Sequence, residues 1–351
     1  MESSETVYAL ADLVIDVGAF DPSTAVQVRE YWDGPQDSLI DFVVPAFNEE
    51  ERIVRNLESI VECSTETNVL VVLADGCTDD TLTVLLAWAA SGGWAGRSTR
   101  RVIVASISDS VFETMSDSVG IALTSSPYIV EVQADMLIQH RGFDALLVKA
   151  LTVRSDLIAV SGRGTERQHA RIGGQRRLCW ASRVLDRTAR LWDQMRLRRA
   201  SVYFPGRLAY YSTGRAGRLG SLIEMPAHLE TPPRLYLGET VMRGPLAMKR
   251  EYFERLGGFD THRYFLGDDD HDLMWRAWSL RRYRCGYVPI SFASPLSDGA
   301  TRRVRDEAAE ARFQVVRQHY LDAQRDAGVI GDSRPLGRFA RRIVRVERES
   351  R

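Results

Sequence analysis

Tyr128-Ile-Val-Glu-Val-Gln-Ala134 is an apolar run of strand length that ends on Asp135. It reads as a strand handed over to a loop, with a carboxylate at the exit. A carboxylate there can hold a divalent metal, and the metal a diphosphate. Working outward, Ile40 to Val44 (stopped by Pro45), Val69 to Ala74, Arg101 to Ala105 and Leu157 to Val160 are further apolar runs. Helical patterns separate them. Glu49 to Ser59 leads into Ile53, Leu57 and Ile60 at helical spacing, with Asn48 as its cap. Thr78 or Asp79 caps a helix to about Ala90, and residues 116–123 and 142–151 are helical. Strands alternating with helices predict an α/β fold, a Rossmann-like mostly parallel central sheet flanked by helices. Ligands of such sheets bind at the carboxyl ends of the strands, where Asn48, Glu49, Asp75 and Asp135 would sit.

Residues 1–37 read as an N-terminal extension, 38–160 as the regular α/β half, 161–240 as an arginine-rich helical insert, 241–300 as a second half and 301–351 as a helical tail. From Arg163 to Arg218, fourteen arginines face three acidic residues, interleaved with Trp180, Trp192, Tyr203 and Tyr210. Arg167, Arg171, Arg176 and Arg177 suit a diphosphate, an anionic acceptor, solvent or another subunit. From residue 241 the pattern returns. Gly244 to Met248 is apolar, Arg250 to Leu256 helical, Gly257 to Asp260 a sharp break, His271 to Arg282 helical, Tyr287 to Phe292 a late strand and Thr301 to Tyr320 a charged helix. Trp275 and Trp278, three apart on a helix, read as core. The acidic run Asp268-Asp-Asp-His-Asp272 opens that helix. The run reads either as the cap of that helix or, since so many like charges in one place need compensation, as a site.

The chain has 351 residues and a formal net charge of −1, which gives no nucleic-acid signal. Cys63, Cys77, Cys179 and Cys285 are far apart, fit neither a zinc site nor a disulfide framework, and suit a reduced cytoplasmic setting. Cys77 has no histidine partner nearby and is rejected as a nucleophile. No secretory signal and no run long enough to span a bilayer is read. Leu336, Phe339, Ala340 and Ile343 form a short apolar stripe in an arginine-rich tail, a pattern that permits peripheral contact with the inner face of a membrane, or docking on a second copy.

Val44-Pro45-Ala46-Phe47-Asn48-Glu49-Glu50, Ala74-Asp75-Gly76-Cys77-Thr78-Asp79-Asp80-Thr81, Gln133-Ala134-Asp135, and Gly257-Gly258-Phe259-Asp260 followed by Asp269-Asp270-His271-Asp272-Leu273 with Arg276 together resemble the motifs of family 2 glycosyltransferases, inverting enzymes of the GT-A fold. The resemblance covers roughly residues 38 to 295, and its weight lies in the order and spacing of the blocks. It implies a hexosyltransferase-like enzyme that moves a sugar from a nucleotide-sugar donor, UDP-linked by analogy, to a hydroxyl of a saccharide, lipid-linked or small-molecule acceptor. It implies that Pro45, Asn48, Glu49 and Asp75 border the nucleotide, with Asp75 accepting from the base. Gln133, Ala134 and Asp135 stand in the place of the Asp-x-Asp motif, with Asp135 on the metal (Mn2+ or Mg2+) and the diphosphate. Asp270 inherits the role of general base, with Asp269 its nearest rival, and Arg276 orders the acidic block or reaches a phosphate. Gln133, in the place of the first Asp, is a poor metal ligand. The stretch Ser291 to Asp298 lacks the family's distal histidine, which leaves three readings open: weakened metal binding, arginines that share the neutralisation of phosphate, or an enzyme independent of metal. His271 reads chiefly as a surface residue or one standing behind the site, its other reading being the missing metal ligand. Nucleotidyl transfer to a sugar phosphate and a non-catalytic nucleotide-sugar or glycan binder are the alternatives. Nucleic acid is not expected.

Overall fold

A computed structural model describes residues 2–34, 37–163, 222–225, 235–238, 241–267, 269–281, 283–288, 290–295 and 307–326. Most of the arginine-rich insert, Asp268, the side chains of His271, Trp275 and Trp278, and the 334–351 tail lie outside that set.

In chain order the elements are β1 (Glu2–Ala9), α1 (Leu10–Leu13), β2 (Ala25–Trp32), β3 (Ile40–Ala46), α2 (Ile53–Cys63), β4 (Asn68–Asp75), α3 (Thr81–Ser91), β5 (Thr99–Ile107), α4 (Phe112–Ala122), β6 (Tyr128–Glu131), β7 (Leu137–Ile138), α5 (Phe143–Thr152) and β8 (Leu157–Arg163). Then come β9 (Leu222–Met225), β10 (Tyr236–Gly238), β11 (Met242–Lys249), α6 (Arg250–Arg255), α7 (Asp269–Arg276, continued by a π-helical turn, Ala277–Arg281), β12 (Arg284–Tyr287), β13 (Phe292–Pro295) and α8 (Glu307–Asp326).

The main sheet has ten strands in the order β1-β2-β5-β4-β3-β6-β11-β8-β12-β10. Neighbours β5-β4-β3-β6 are parallel, as are β8 and β12, while β11 runs antiparallel between β6 and β8. Only β2, β11 and β10 oppose the common direction, so the sheet is mixed but mostly parallel, a GT-A-like, Rossmann-like arrangement.

Alternation along the strands feeds both faces. Phe42, Val44, Leu70 and Val72 pack with Ile53, Leu57, Leu85 and Phe143 of α2, α3 and α5. On the other face Val69, Val71 and Ile103 meet α1, α4 and α8, and Val43, Ile129 and Ile158 meet α6 and α7. Every residue of β4 is buried, as the uninterrupted apolar run requires.

Four expectations shift. Strand β3 runs through Pro45 to Ala46, because β6 pairs with it only as far as Val43 and the missing N–H of Pro45 has no partner to lose there. Helix α2 begins at Ile53 instead of Glu49, so Asn48 is not its cap. The expected strand from Tyr287 to Phe292 is the junction of two, with β12 in the main sheet and β13 between β7 and β9 in a three-stranded sheet. The N-terminal segment adds strands β1 and β2 to the sheet edge.

Candidate active site

From β3 the chain proceeds outward through β4 to β5, then returns to place β6 on the other side of β3. The order reverses between β3 and β6, and open α/β sheets bind ligands outside the carboxyl ends of the strands at such a switch point. On one side of it lies the loop after β3, with Asn48 and Glu49. On the other lies the turn after β6, with Gln133, Ala134 and Asp135.

The first loop is tied to its neighbour. Asn48 sits at φ 53°, a left-handed conformation that Asn tolerates. Its Nδ2 donates to Thr78 Oγ1 (3.0 Å) and its Oδ1 accepts from the Thr78 amide (2.8 Å). The amide of buried Glu49 donates to Thr81 Oγ1 (2.8 Å), and Glu50 accepts from the Asp80 amide (2.8 Å). These bonds bind residues 48–50 to 78–81, which is why helix α2 starts late. The second turn is held by Asn56 of α2, fully buried, whose Nδ2 donates to the carbonyls of Gln133 (3.0 Å) and Met136 (2.5 Å).

Asp75 ends β4, and its carboxylate faces the adjacent loop. It accepts from Ser110 Oγ (2.7 Å) and from the amides of Val111 (2.7 Å) and Phe112 (2.9 Å). Burial raises its pKa from the usual value, with these bonds opposing.

The most charged buried place among the described residues is one that the sequence marked only in part, at Asp269 and Gln133. Between Met242 and Leu246 the pairing of β11 with β8 shifts register, with Gly244 at φ 131°, and the bulge carries Arg243. Arg243 is buried among four carboxylates. Its Nη2 lies 2.6 Å from Asp269 and 2.9 Å from Asp117, its Nε 3.1 Å from Glu131, and its Nη1 pairs with Glu113. Burial pushes Asp117 and Glu131 well above the carboxylate range and Asp269 up to about 6, with the Arg243 charge opposing in each case. Gln133 joins in, donating from Nε2 to Glu113 (3.3 Å). Gln133 and Asp269, from distant blocks of sequence, are thus linked through Glu113 and Arg243. Asp270 follows Asp269 in the first turn of α7 and is also buried.

Arg276 faces away from this cluster. Its Nε pairs with Asp272 (2.6 Å), Nη2 donates to Gly258 O (2.7 Å), and Nη1 donates to Leu256 O. It fastens α7 to the Gly257-Gly258 break, and all three of its nitrogens are engaged there.

One oxygen each of Glu113, Asp117 and Glu131 lie within 4.8 Å of one another, an acidic group that can coordinate a divalent metal. Among the described residues Asp135 belongs to no such group. The donor metal implied by the resemblance therefore fits poorly here, with one carboxylate at Asp135 and a Gln133 amide directed at Glu113.

Glu131 was detectable as the one charge in Tyr128 to Val132, whereas Glu113, Asp117 and Arg243 carry no local signal. No helix among the described residues is long and apolar enough to cross a membrane.

No family model and no curated protein sequence matches the chain. Among solved structures it is similar to the mannosyltransferase PcManGT of Pyrobaculum calidifontis in complex with GDP-Man and Mn2+, at 17% identity over 90% of this chain and 73% of that one, with a TM-score of 0.47. It is similar also to S. aureus TarS 1-349 in complex with UDP, at 10% identity over 88% and 70% of the two chains, with a TM-score of 0.43. Similarity this distant assigns neither a substrate nor a role to any residue.

Proposed function

We propose that the chain is an inverting, family 2-like glycosyltransferase that moves a hexose from a nucleotide-diphosphate sugar to an acceptor hydroxyl. The observation that carries the reading is the link, through Glu113 and Arg243, between the turn at the switch point and the start of α7. That link supports reading Gln133 and the start of α7 as two sides of one site. UDP is favoured as the nucleotide by the resemblance alone. Saccharide, lipid-linked and small-molecule acceptors share the required hydroxyl.

In this reading Pro45, Asn48, Glu49 and Ala134 line the nucleotide and sugar pocket. Asp75 borders it through the 110–112 loop that it anchors. Asp135 and the Gln133 amide lie beside the diphosphate. Asp269 is clamped by Arg243, and its neighbour Asp270 in the first turn of α7 takes the base role that the resemblance gives it. The acceptor oxygen attacks the anomeric carbon opposite the leaving group, and its proton passes to Asp270. The bond from that carbon to the phosphate oxygen breaks, and its electron pair leaves on the nucleoside diphosphate. Arg276 sets the position of α7 through Asp272 and Gly258. A bound Mn2+ or Mg2+ would supply charge neutralisation on the leaving diphosphate. Asp135 offers it a single carboxylate, so no step above depends on it. A cytoplasmic setting, with the tail against a membrane face or a second copy, belongs to the same proposal.

Asp270→Asn tests it. Turnover should fall by about 10²- to 10⁴-fold while donor binding, read by calorimetry, survives. Unchanged turnover removes Asp270 from the base role. Release of pyrophosphate in place of a nucleoside diphosphate assigns nucleotidyl transfer, and donor binding without turnover on any acceptor assigns a non-catalytic binder.

A further inference from the structure

Glu113 and Asp117 lie one turn apart on α4, and Glu131 ends β6 opposite them. With Asp269 they set four carboxylates against the single guanidinium of Arg243. Asp117 and Asp269 are 0% exposed and Glu131 1%. If all are ionised, three negative charges stand uncompensated in the interior, a cost that folded proteins remove by pairing, metal or protons. Arg243 approaches Asp117 at Oδ2 and Glu131 at Oε2. All four carboxylate oxygens of Asp117 and Glu131 are buried and accept no hydrogen bond, and Oδ1 and Oε1 have not even the Arg243 charge beside them. Buried carboxylate oxygens without a partner are rare and call for an occupant.

We propose that Glu113, Asp117 and Glu131 bind a divalent cation with hard-oxygen preference, Mg2+ or Mn2+, without any donor present and apart from Asp135. The ligand set is all oxygen, which suits these ions and not a thiophilic metal. Two oxygens across such an ion stand up to about 4.2 Å apart, so a trio within 4.8 Å needs only a small closure. The cation joins α4 to β6 beside Arg243, and so fixes the Glu113 carboxylate to which Gln133 donates. Its role is structural, and it stands whether or not the chain transfers sugar.

The test uses the full chain, stripped by chelator, with MnCl2 or MgCl2 alone. Equilibrium dialysis should find about one Mn2+ per chain, and thermal unfolding should shift upward with metal. Asp117→Asn and Glu131→Gln should each weaken that binding by about tenfold or more, while Asp135→Asn leaves it unchanged. Both substitutions keep side-chain shape and remove excess charge, so circular dichroism of the metal-free variants should match the wild type. If the wild type binds no metal without donor, protons balance the cluster and the proposal is overturned. Undiminished binding in both variants, or equal loss in Asp135→Asn, overturns it as well. Failure of sugar transfer alone leaves these readouts untouched.

Discussion

Arg243 shows how one residue can decide a site. It gives one positive charge to four carboxylates, and removing one partner of a buried ionic cluster strands the rest. Arg243→Met should lower stability by about 3–5 kcal/mol, measured by urea unfolding. Glu131→Gln on that background should restore part of the loss, because it deletes one of the stranded charges. If Arg243→Met is neutral, the carboxylates are protonated and the guanidinium holds little together. Asp269 gives a second test at this scale. Burial lifts its carboxyl from the usual 3.8 to about 6. A value above that of the unfolded chain means the native state binds the proton more tightly. The stability this group contributes is then complete below the unfolded value and is lost as pH rises through about 6. Asp269→Asn should lack that decline, so unfolding curves of the two proteins between about pH 4 and 7 should diverge in slope.

At the scale of elements, what could be read in the sequence was whatever repeats locally. The apolar runs placed β3, β4, β5, β6 and β8, and Asp75 and Asp135 were visible because each follows such a run. Boundaries that depend on a distant partner were not legible. Helix α2 starts at Ile53 because Asn48 and Glu49 bond to Thr78 and Thr81, thirty residues on, and β3 passes Pro45 because β6 stops pairing with it. Arg243 of β11 meets Glu113 and Asp117 of α4 across a gap of more than a hundred residues in sequence, and the three leave no periodic trace. The turn after β4 shows the same dependence. Gly76 has φ 59°, and a Cβ there would stand 2.4 Å from Ser110 N and 2.8 Å from its Cα, both backbone atoms. Gly76→Ala should therefore displace the 110–112 loop that caps Asp75 and cost about 2–4 kcal/mol. Weaker donor binding should follow, since that loop borders the proposed pocket. Unchanged stability would mean the two turns are looser than their packing implies.

Across the whole molecule the segment from Leu10 to Phe20 and helix α8 meet behind this same loop. Leu10, Val14 and Phe20 near the start pack with Val316 and Tyr320 of α8, and both groups pack on Phe112 and Val111. Tyr320 donates its hydroxyl hydrogen to Thr261 O (2.7 Å), and Thr261 Oγ1 donates to Asp16 O (2.7 Å). Arg312 donates to Ser110 O from Nη2 (3.1 Å). Phe112 holds φ 63°, a conformation unusual for an aromatic residue, with Phe265 edge-on at 5.2 Å and Phe313 at 5.8 Å. The position of Asp75 is thus determined from two sides, by its own hydrogen bonds and by aromatic packing that α8 completes. Phe313 is half-buried, so Phe313→Ala should cost about 2 kcal/mol, less than the full range for an enclosed Phe. The informative readout is local. The amides of Val111 and Phe112, which donate to Asp75, should exchange hydrogen at least about tenfold faster, while the amide of Val43 in the sheet centre keeps its protection. Faster exchange at the loop alone means α8 holds the rim of the site in place from outside the sheet. Equal acceleration at Val43 means α8 serves global stability only, and no acceleration means the Asp75 carboxylate suffices to hold the loop.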